Sequence, residues 1–261
     1  MSLIKNKEGT NFYPITVEGT DWNCEYLWST HRGCPFDCTY CSSKKHNVRF
    51  GGDPCEVRRL KGEWDTIEDV YYLKRKLPEG GIFVNPYTDI FTFPKDDIQH
   101  IFTKIEFTNW DREIKPQRYI FQTKDPKKYF DYIDLIPEGS WLGTTIDCSY
   151  MGQEYMDMNF SKAPEPIKRV ESMMCLKSVK IPFNFFVTIE PIMEFNYLLL
   201  NWINAIQPDL VFIGANTSSV SLPEPTPDEL VALIEALRKI TTAYLKSNLE
   251  RLLPKGFDIN V

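Results

Sequence analysis

Short apolar runs alternate with helix-patterned segments along most of this sequence, and that alternation restricts the fold more than any other feature. Candidate strands rich in β-branched and aromatic residues cover 25–30, 81–86, 118–123, 140–147, 184–190, 209–214 and, with a weaker pattern, 243–246. Between them, 95–107 places Ile98, Ile101, Phe102 and Ile105 on one helical face. The segment 126–136 does the same with Tyr129, Tyr132, Ile133 and Ile136, and 166–179 less cleanly with Ile167, Val170, Met174 and Leu176. Helical patterns at 195–206 and 227–240 complete the set, the latter opened by Thr226 as N-cap and Pro227 at the first helical position. Strands and helices in this order form parallel βαβ units with right-handed crossovers. The expected fold is α/β, a full or partial (β/α) TIM-type barrel, with a flat doubly wound sheet as the alternative. Functional groups of such barrels collect where the strands end. Those ends are polar here: 31–41, 85–89, Lys124, 147–150, 190–193, 216–217 and 246–248.

Composition narrows the class of protein. At 261 residues and 43% hydrophobic content, the chain can bury a self-sufficient core. We expect one domain over 1–261, with 1–20 as an N-terminal extension and 250–261 as a short tail. A net charge of −6 argues against a protein built mainly to grip duplex phosphate, though it leaves room for a local basic groove. No apolar run reaches the roughly 18 residues that a bilayer span needs. Residues 1–10 lack the apolar stretch of a secretory signal, so a cytoplasmic setting is expected. Seven cysteines are present, and three of them, Cys34, Cys38 and Cys41, fall within eight residues. In a reducing compartment such clustering reads as a metal site and not as a disulfide framework.

The loop reads His31-Arg32-Gly33-Cys34-Pro35-Phe36-Asp37-Cys38-Thr39-Tyr40-Cys41, directly after the first strand. Three thiolates can cap one iron–sulfide cluster and leave one iron without a local protein ligand. The competing reading is a non-catalytic iron–sulfur or zinc protein, structural or interacting, with a zinc site completed by Cys24, Cys55 or His31 or a four-cysteine cluster using Cys24 or Cys55. The Cys-x3-Cys-x2-Cys spacing, with aromatic Tyr40 before the last cysteine, resembles the hallmark of the radical SAM superfamily. That resemblance implies a [4Fe–4S] cluster on Cys34, Cys38 and Cys41 that binds S-adenosyl-L-methionine (SAM). It also implies reductive cleavage of SAM to a 5′-deoxyadenosyl radical, with electrons from a donor such as flavodoxin or ferredoxin.

Within that superfamily, four further segments resemble the spore photoproduct lyase-like group and its phage-encoded relatives. Asn85-Pro86-Tyr87-Thr88-Asp89-Ile90 is similar to a Thr/Ser-Asp-Ile element, which implies Asp89, supported by Thr88, on the methionine ammonium. Thr123-Lys124 is similar to a Thr-Lys element, which implies Lys124 on the methionine carboxylate. The stretch 142–148 implies Thr145 and Asp147 on the ribose hydroxyls. Tyr87 stands near the position where the lyase itself uses a cysteine as hydrogen-atom donor, a departure that sets thymine-dimer repair in question. Cys148 is the alternative donor, and Glu190, ending an apolar strand, is a candidate contact to substrate or SAM. The group resemblance suggests a nucleobase, nucleotide or nucleic-acid substrate, and a small metabolite or peptide is the alternative. Lys44, Lys45, Arg49, Arg58, Arg59 and Lys61, with Phe50 and Trp64, form a basic, aromatic lip suited to nucleic acid. Cys24, Cys55 and Cys175 show no second metal spacing, so one cluster is expected.

Overall fold

The computed structural model describes residues 3–7, 12–49, 52–62, 67, 80–110, 118–180 and 182–259. Its strands are β1 (Ile4–Lys5), β2 (Tyr26–Trp28), β3 (His31–Arg32), β4 (Arg58–Arg59), β5 (Ile82–Val84), β6 (Tyr119–Thr123), β7 (Trp141–Thr145), β8 (Asn184–Ile189), β9 (Leu210–Ile213) and β10 (Thr242–Leu245). The seven strands expected from the sequence are β2 and β5 to β10; β2 and β5 to β9 lie within the expected bounds, and β10 begins one residue earlier, at Thr242. They line up in the order β2-β5-β6-β7-β8-β9-β10, all parallel, with β1 antiparallel on the outer edge of β2. The sheet is not closed, so the barrel is partial.

Curvature follows from one side chain. Neighbouring strands lie roughly 4.8 Å apart, so β5 and β9, four places apart, would be about 19 Å apart in a flat sheet. The Tyr13 ring nevertheless lies 5.3 Å from Phe83 of β5 and 4.8 Å from Phe212 of β9. The sheet therefore wraps around Tyr13. Alternation along the strands sorts the two faces. Phe185, Val187, Ile189, Val211 and Ile213 join the core beneath the helices, while Phe186, Leu210 and Phe212 turn to the concave side. There they meet Tyr13, Val17, Trp22 and Cys24 from the segment before β2, which fills the base of the half-barrel.

The helices are α1 (Ser42–Arg49), α2 (Lys95–Trp110), α3 (Gly152–Met158), α4 (Pro166–Ser178), α5 (Tyr197–Ile206) and α6 (Pro227–Leu237). The face expected on α2 is the buried one. On α6 the Thr226 hydroxyl accepts from the Glu229 amide and the Glu229 carboxylate accepts from the Thr226 amide, a reciprocal capping box. Thr226→Ala is expected to lower stability by about 1 kcal/mol in thermal or denaturant unfolding. No helix among the described residues is long and apolar enough to cross a membrane.

Two expectations need correction. The segment 126–136 is not an α-helix but two 3-10 turns, Pro126–Asp131 and Ile133–Leu135. The Tyr129 hydroxyl is drawn beneath β6 and β7, where it meets Phe121 O at 2.9 Å and accepts from the Gly143 amide at 3.2 Å. That anchorage holds the chain in the tighter winding. On α4 the buried stripe is Arg169, Val170, Met173 and Leu176, whereas Met174 is 44% exposed. A charged residue sits where an apolar one was expected.

Candidate active site at the open end of the barrel

The cysteine loop leaves the sheet through a two-stranded ribbon, β3 against β4, and not directly from β2. Gly33 turns it with φ +84°, and a Cβ there would fall 1.8 Å from Glu56 O, so the close approach of residues 54–56 requires glycine. The Cys34 amide donates to Pro54 O and the Asp37 amide to Cys34 O, and Asp37 itself adopts φ 51°. Lys44 and Lys162 both pair with the Asp37 carboxylate, whose pKa falls well below its ordinary range through those hydrogen bonds. The far side of the loop is tied down by Thr39 N to Phe160 O (2.8 Å) and Lys162 N to Phe36 O (2.6 Å). A loop tethered on both sides presents its thiols in a fixed array.

All seven cysteines are free thiols. Cys38 lies 3.1 Å from the Ser161 hydroxyl and packs with Tyr40 against Cys148, Tyr150, Tyr155 and Met193. Burial pushes the Cys34 thiol up to about 12, and the nearby Asp89 charge adds to it. Among the described residues, no three His, Cys, Asp or Glu side chains converge as they would around a single metal ion. The fourth ligands considered for zinc are engaged elsewhere. Cys24 lies in the cluster at the base of the barrel, and His31 bonds to Thr30 through Nδ1 and to Asp97 through Nε2. The Cys55 thiol is pushed up by burial and by the Asp37 carboxylate, which Lys44 and Lys162 already hold. A cuboidal iron–sulfur cluster takes each thiolate on a different iron, and three free thiols on one tethered loop fit that donor set.

The polar strand ends converge beside this loop. Asp147, 1% exposed, accepts from Lys124 Nζ at 2.6 Å, from Arg169 at 3.3 Å and from the Tyr40 hydroxyl. Burial alone would raise its pKa. The Lys124 and Arg169 charges outweigh burial and hold the carboxyl well below the usual range. Lys124 also donates to the Tyr40 hydroxyl at 3.0 Å. Tyr40, Lys124 and Asp147, expected at the mouth, are thus one hydrogen-bonded unit.

Asp89 caps the turn Ile90–Thr92 and is pushed up to about 6 by burial. The hydroxyl of Thr123 and the amides of Lys124 and Phe91 oppose that shift by donating to it. A carboxylate offers about four acceptor positions, so one remains for a ligand on Asp89. Nearby, three polar atoms are shielded from solvent without a partner: Thr88 Oγ1, Asn85 Nδ2 and Ser29 Oγ. Unsatisfied buried groups are rare in folded proteins, and three at adjacent strand ends point to a polar ligand.

Thr145 accepts from Gln122 Nε2 at 3.1 Å. Glu190 accepts from Lys246 Nζ at 2.5 Å and Asn248 Nδ2 at 2.9 Å. Cys148 is fully buried, and burial pushes its thiol up to about 12, with the Asp147 charge adding. Tyr87 is 48% exposed, with Phe12 5.8 Å from its ring. Outside the half-barrel, a cleft of about 720 Å³ between α3 and the start of α4 is lined by Ser161, Tyr155 and Met156 and approaches Cys38 from the surface. Sequence reasoning missed Arg169, Tyr13 and Ser161. Of the expected basic lip, Phe50 and Trp64 and the side chains of Lys45 and Arg49 lie outside the described residues.

The fold and the loop together define a partial (β/α) barrel carrying three thiols at its open end. Solved structures with this architecture include spore photoproduct lyase. A double mutant described with bound AdoMet and dinucleoside spore photoproduct matches with a TM-score of 0.60 at 13% identity, over 92% of this chain and 80% of that one. A single cysteine-to-alanine mutant matches with a TM-score of 0.60 at 12% identity, over 89% and 79%. A tyrosine-to-phenylalanine mutant gives 0.58 at 13% identity, over 89% and 79%. At such identities the likeness is one of fold. No protein-family model matches the chain, and no curated protein sequence matches it.

Proposed function

We propose that this chain is a radical SAM enzyme that abstracts hydrogen from a substrate entering the open end of its half-barrel. The observation that carries the reading is the Cys34–Cys38–Cys41 loop, tethered beside the Tyr40–Lys124–Asp147 unit at the C-terminal ends of the strands. When bound, a [4Fe–4S] cluster and SAM supply a 5′-deoxyadenosyl radical through one-electron cleavage of the sulfonium.

The chain's own residues do the positioning. Cys34, Cys38 and Cys41 hold the cluster, and Tyr40 closes over the Cys38 side, fixed by Asp147 and Lys124. Asp89 offers its remaining acceptor position to the methionine ammonium, and the unpartnered Thr88 hydroxyl stands beside it. Lys124 balances the methionine carboxylate while keeping its bond to Asp147, and Thr145 with Asp147 takes the ribose. Tyr150, Met193 and Leu222 pack around Cys38 and Tyr40 and keep water from the reacting centre. Cys148 retains its hydrogen at neutral pH, as a hydrogen-atom donor must, and Tyr87 is the second candidate for that step. Glu190, held by Lys246 and Asn248, faces the substrate. A flavodoxin- or ferredoxin-like donor meets the cluster from the Ser161 cleft.

The test is anaerobic reconstitution with iron and sulfide, then SAM and a strong reductant, with 5′-deoxyadenosine quantified. Wild type is expected to form it, and Cys38→Ala to lose it by at least 100-fold. Uptake of zinc in place of a cluster, or a cluster indifferent to SAM, overturns the proposal.

A further inference from the structure

Ser161 is pinned against the cysteine loop by its neighbours on both sides. The Thr39 amide donates to Phe160 O at 2.8 Å, and the Lys162 amide donates to Phe36 O at 2.6 Å. Between those two bonds the Ser161 hydroxyl lies 3.1 Å from the Cys38 sulfur. Among the described residues, no other hydroxyl comes within hydrogen-bond distance of Cys34, Cys38 or Cys41. Elsewhere Cys38 packs with Tyr40, Cys148, Tyr150 and Met193, a low-dielectric wall in which a single hydrogen bond carries more weight.

The hydroxyl has one hydrogen to give. Its oxygen accepts from the Ala163 amide at 3.1 Å, and its hydrogen has two acceptors in reach, the Cys38 sulfur at 3.1 Å and Phe36 O at 3.3 Å. With a free thiol, either Ser161 or Cys38 can be the donor. A thiolate bound to iron has no hydrogen and carries negative charge, so Ser161 must then donate to it. The charge-assisted bond outcompetes Phe36 O, which already accepts the Lys162 amide.

We infer that Ser161 donates an O–H···S hydrogen bond to the Cys38 thiolate and thereby raises the reduction potential of the cluster held there. The inference rests on the radical-enzyme reading for the cluster itself. Hydrogen bonds to the sulfurs are among the features that set such potentials. On reduction one electron enters from the donor, no bond forms or breaks, and the added negative charge is shared with the thiolate sulfurs. The Ser161 bond is therefore stronger in the reduced form, and that difference favours reduction. Ser161 acts through Cys38 and is a positioning residue. It also lines the cleft from which the donor approaches, so the hydroxyl stands on the side where the electron enters.

The test is a redox titration of reconstituted wild type, Ser161→Ala and Ser161→Thr, followed by the EPR signal of the reduced cluster, with iron and sulfide content measured in each. Ser161→Ala is expected to hold the cluster but to be about tenfold harder to reduce, a midpoint about 59 mV more negative for one electron. Ser161→Thr keeps the hydroxyl and should stay near wild type. In deuterated buffer, ENDOR of the reduced cluster should show one exchangeable-deuteron coupling in wild type and Ser161→Thr that Ser161→Ala lacks. A purely structural role would lower stability and leave the midpoint alone. Should Ser161→Ala fail to hold a cluster, Ser161→Val and Ser161→Thr form a second pair of equal shape that differs in the hydroxyl, and the valine variant should be about tenfold harder to reduce than the threonine one. Equal midpoints within either pair overturn the inference, as does a threonine variant that falls as far as alanine. Wild type that assembles no cluster removes the radical-enzyme reading and this inference with it, whereas a cluster whose midpoint ignores the hydroxyl removes the inference alone.

Discussion

Arg169→Met is expected to unfold about 6–20 °C below wild type, the largest loss of any substitution on α4. The Arg169 side chain has no solvent exposure, and its guanidinium donates to four groups. These are Pro164 O at 2.6 Å, Thr145 O at 2.9 Å, the Tyr155 hydroxyl at 2.9 Å and Asp147 at 3.3 Å. Methionine matches the volume but leaves these acceptors without a donor in a dry site. Removing one partner of a buried pair costs about 3–5 kcal/mol, which for a chain of this size gives the stated fall. Asp147→Asn should cost a similar amount, because Lys124 and Arg169 then face each other without their counter-charge. The double variant should cost less than the sum of the singles by at least about 1 kcal/mol, since the two changes remove one network. The pH dependence carries a sign. Asp147 titrates below the ordinary 3.8, so its stabilisation is complete above that value and fades only as pH falls through the lowered one. The deficit of Asp147→Asn should therefore be equal at pH 6 and pH 8 and shrink in strong acid. Single variants within about 0.5 kcal/mol of wild type in thermal unfolding would sink this account.

Arg169 also marks where sequence reasoning stops. The strands were legible because a parallel strand buried on both faces is mostly apolar: β9 is so throughout, and β6, β7 and β8 carry their polar residues at or near their ends. The cysteine loop was legible because its ligand spacing is local. Arg169 was missed because a charged residue within an amphipathic helix ordinarily marks the wet side. The signal was its position, four and seven residues before Met173 and Leu176, on the stripe that proved to be buried. Likewise, 126–136 had helical periodicity, but the Tyr129 hydroxyl is bound to strands whose placement no local pattern encodes. The ribbon β3–β4 was illegible for the opposite reason. Its strands are two residues long and polar, and they are held together by distant contacts, the Gly33 turn against Glu56 and the shared Asp97 carboxylate, that no local pattern encodes.

The segment before β2 gave no strand or helix pattern, yet it holds the half-barrel together, and Tyr13→Ala is expected to reveal this. Tyr13 packs against Trp22 at 5.6 Å, Phe83 at 5.3 Å and Phe212 at 4.8 Å, so its removal opens a cavity bordered by β5, β8 and β9 at once. An open sheet has no closing strand to hold its curvature, and a shared wedge takes that role. Large-to-small changes of an aromatic in such a core cost about 3–5 kcal/mol. Tyr13→Phe separates packing from polarity. It keeps the ring but leaves Gln122 Oε1 and Thr188 Oγ1 without the hydroxyl they meet at 2.6 and 2.8 Å, and should cost only about 1–3 kcal/mol. The ring itself reaches the mouth through Lys246, whose ammonium sits 4.1 Å above it while its other side grips Glu190. Tyr13→Ala should therefore loosen the Lys246–Glu190 pair at the strand ends, whereas Tyr13→Phe, which retains the cation–π contact, should not. Unfolding curves for the two variants distinguish a wedge from a bystander. If alanine costs no more than phenylalanine, the curvature is set by the strands themselves and the N-terminal segment merely rests in the space they leave.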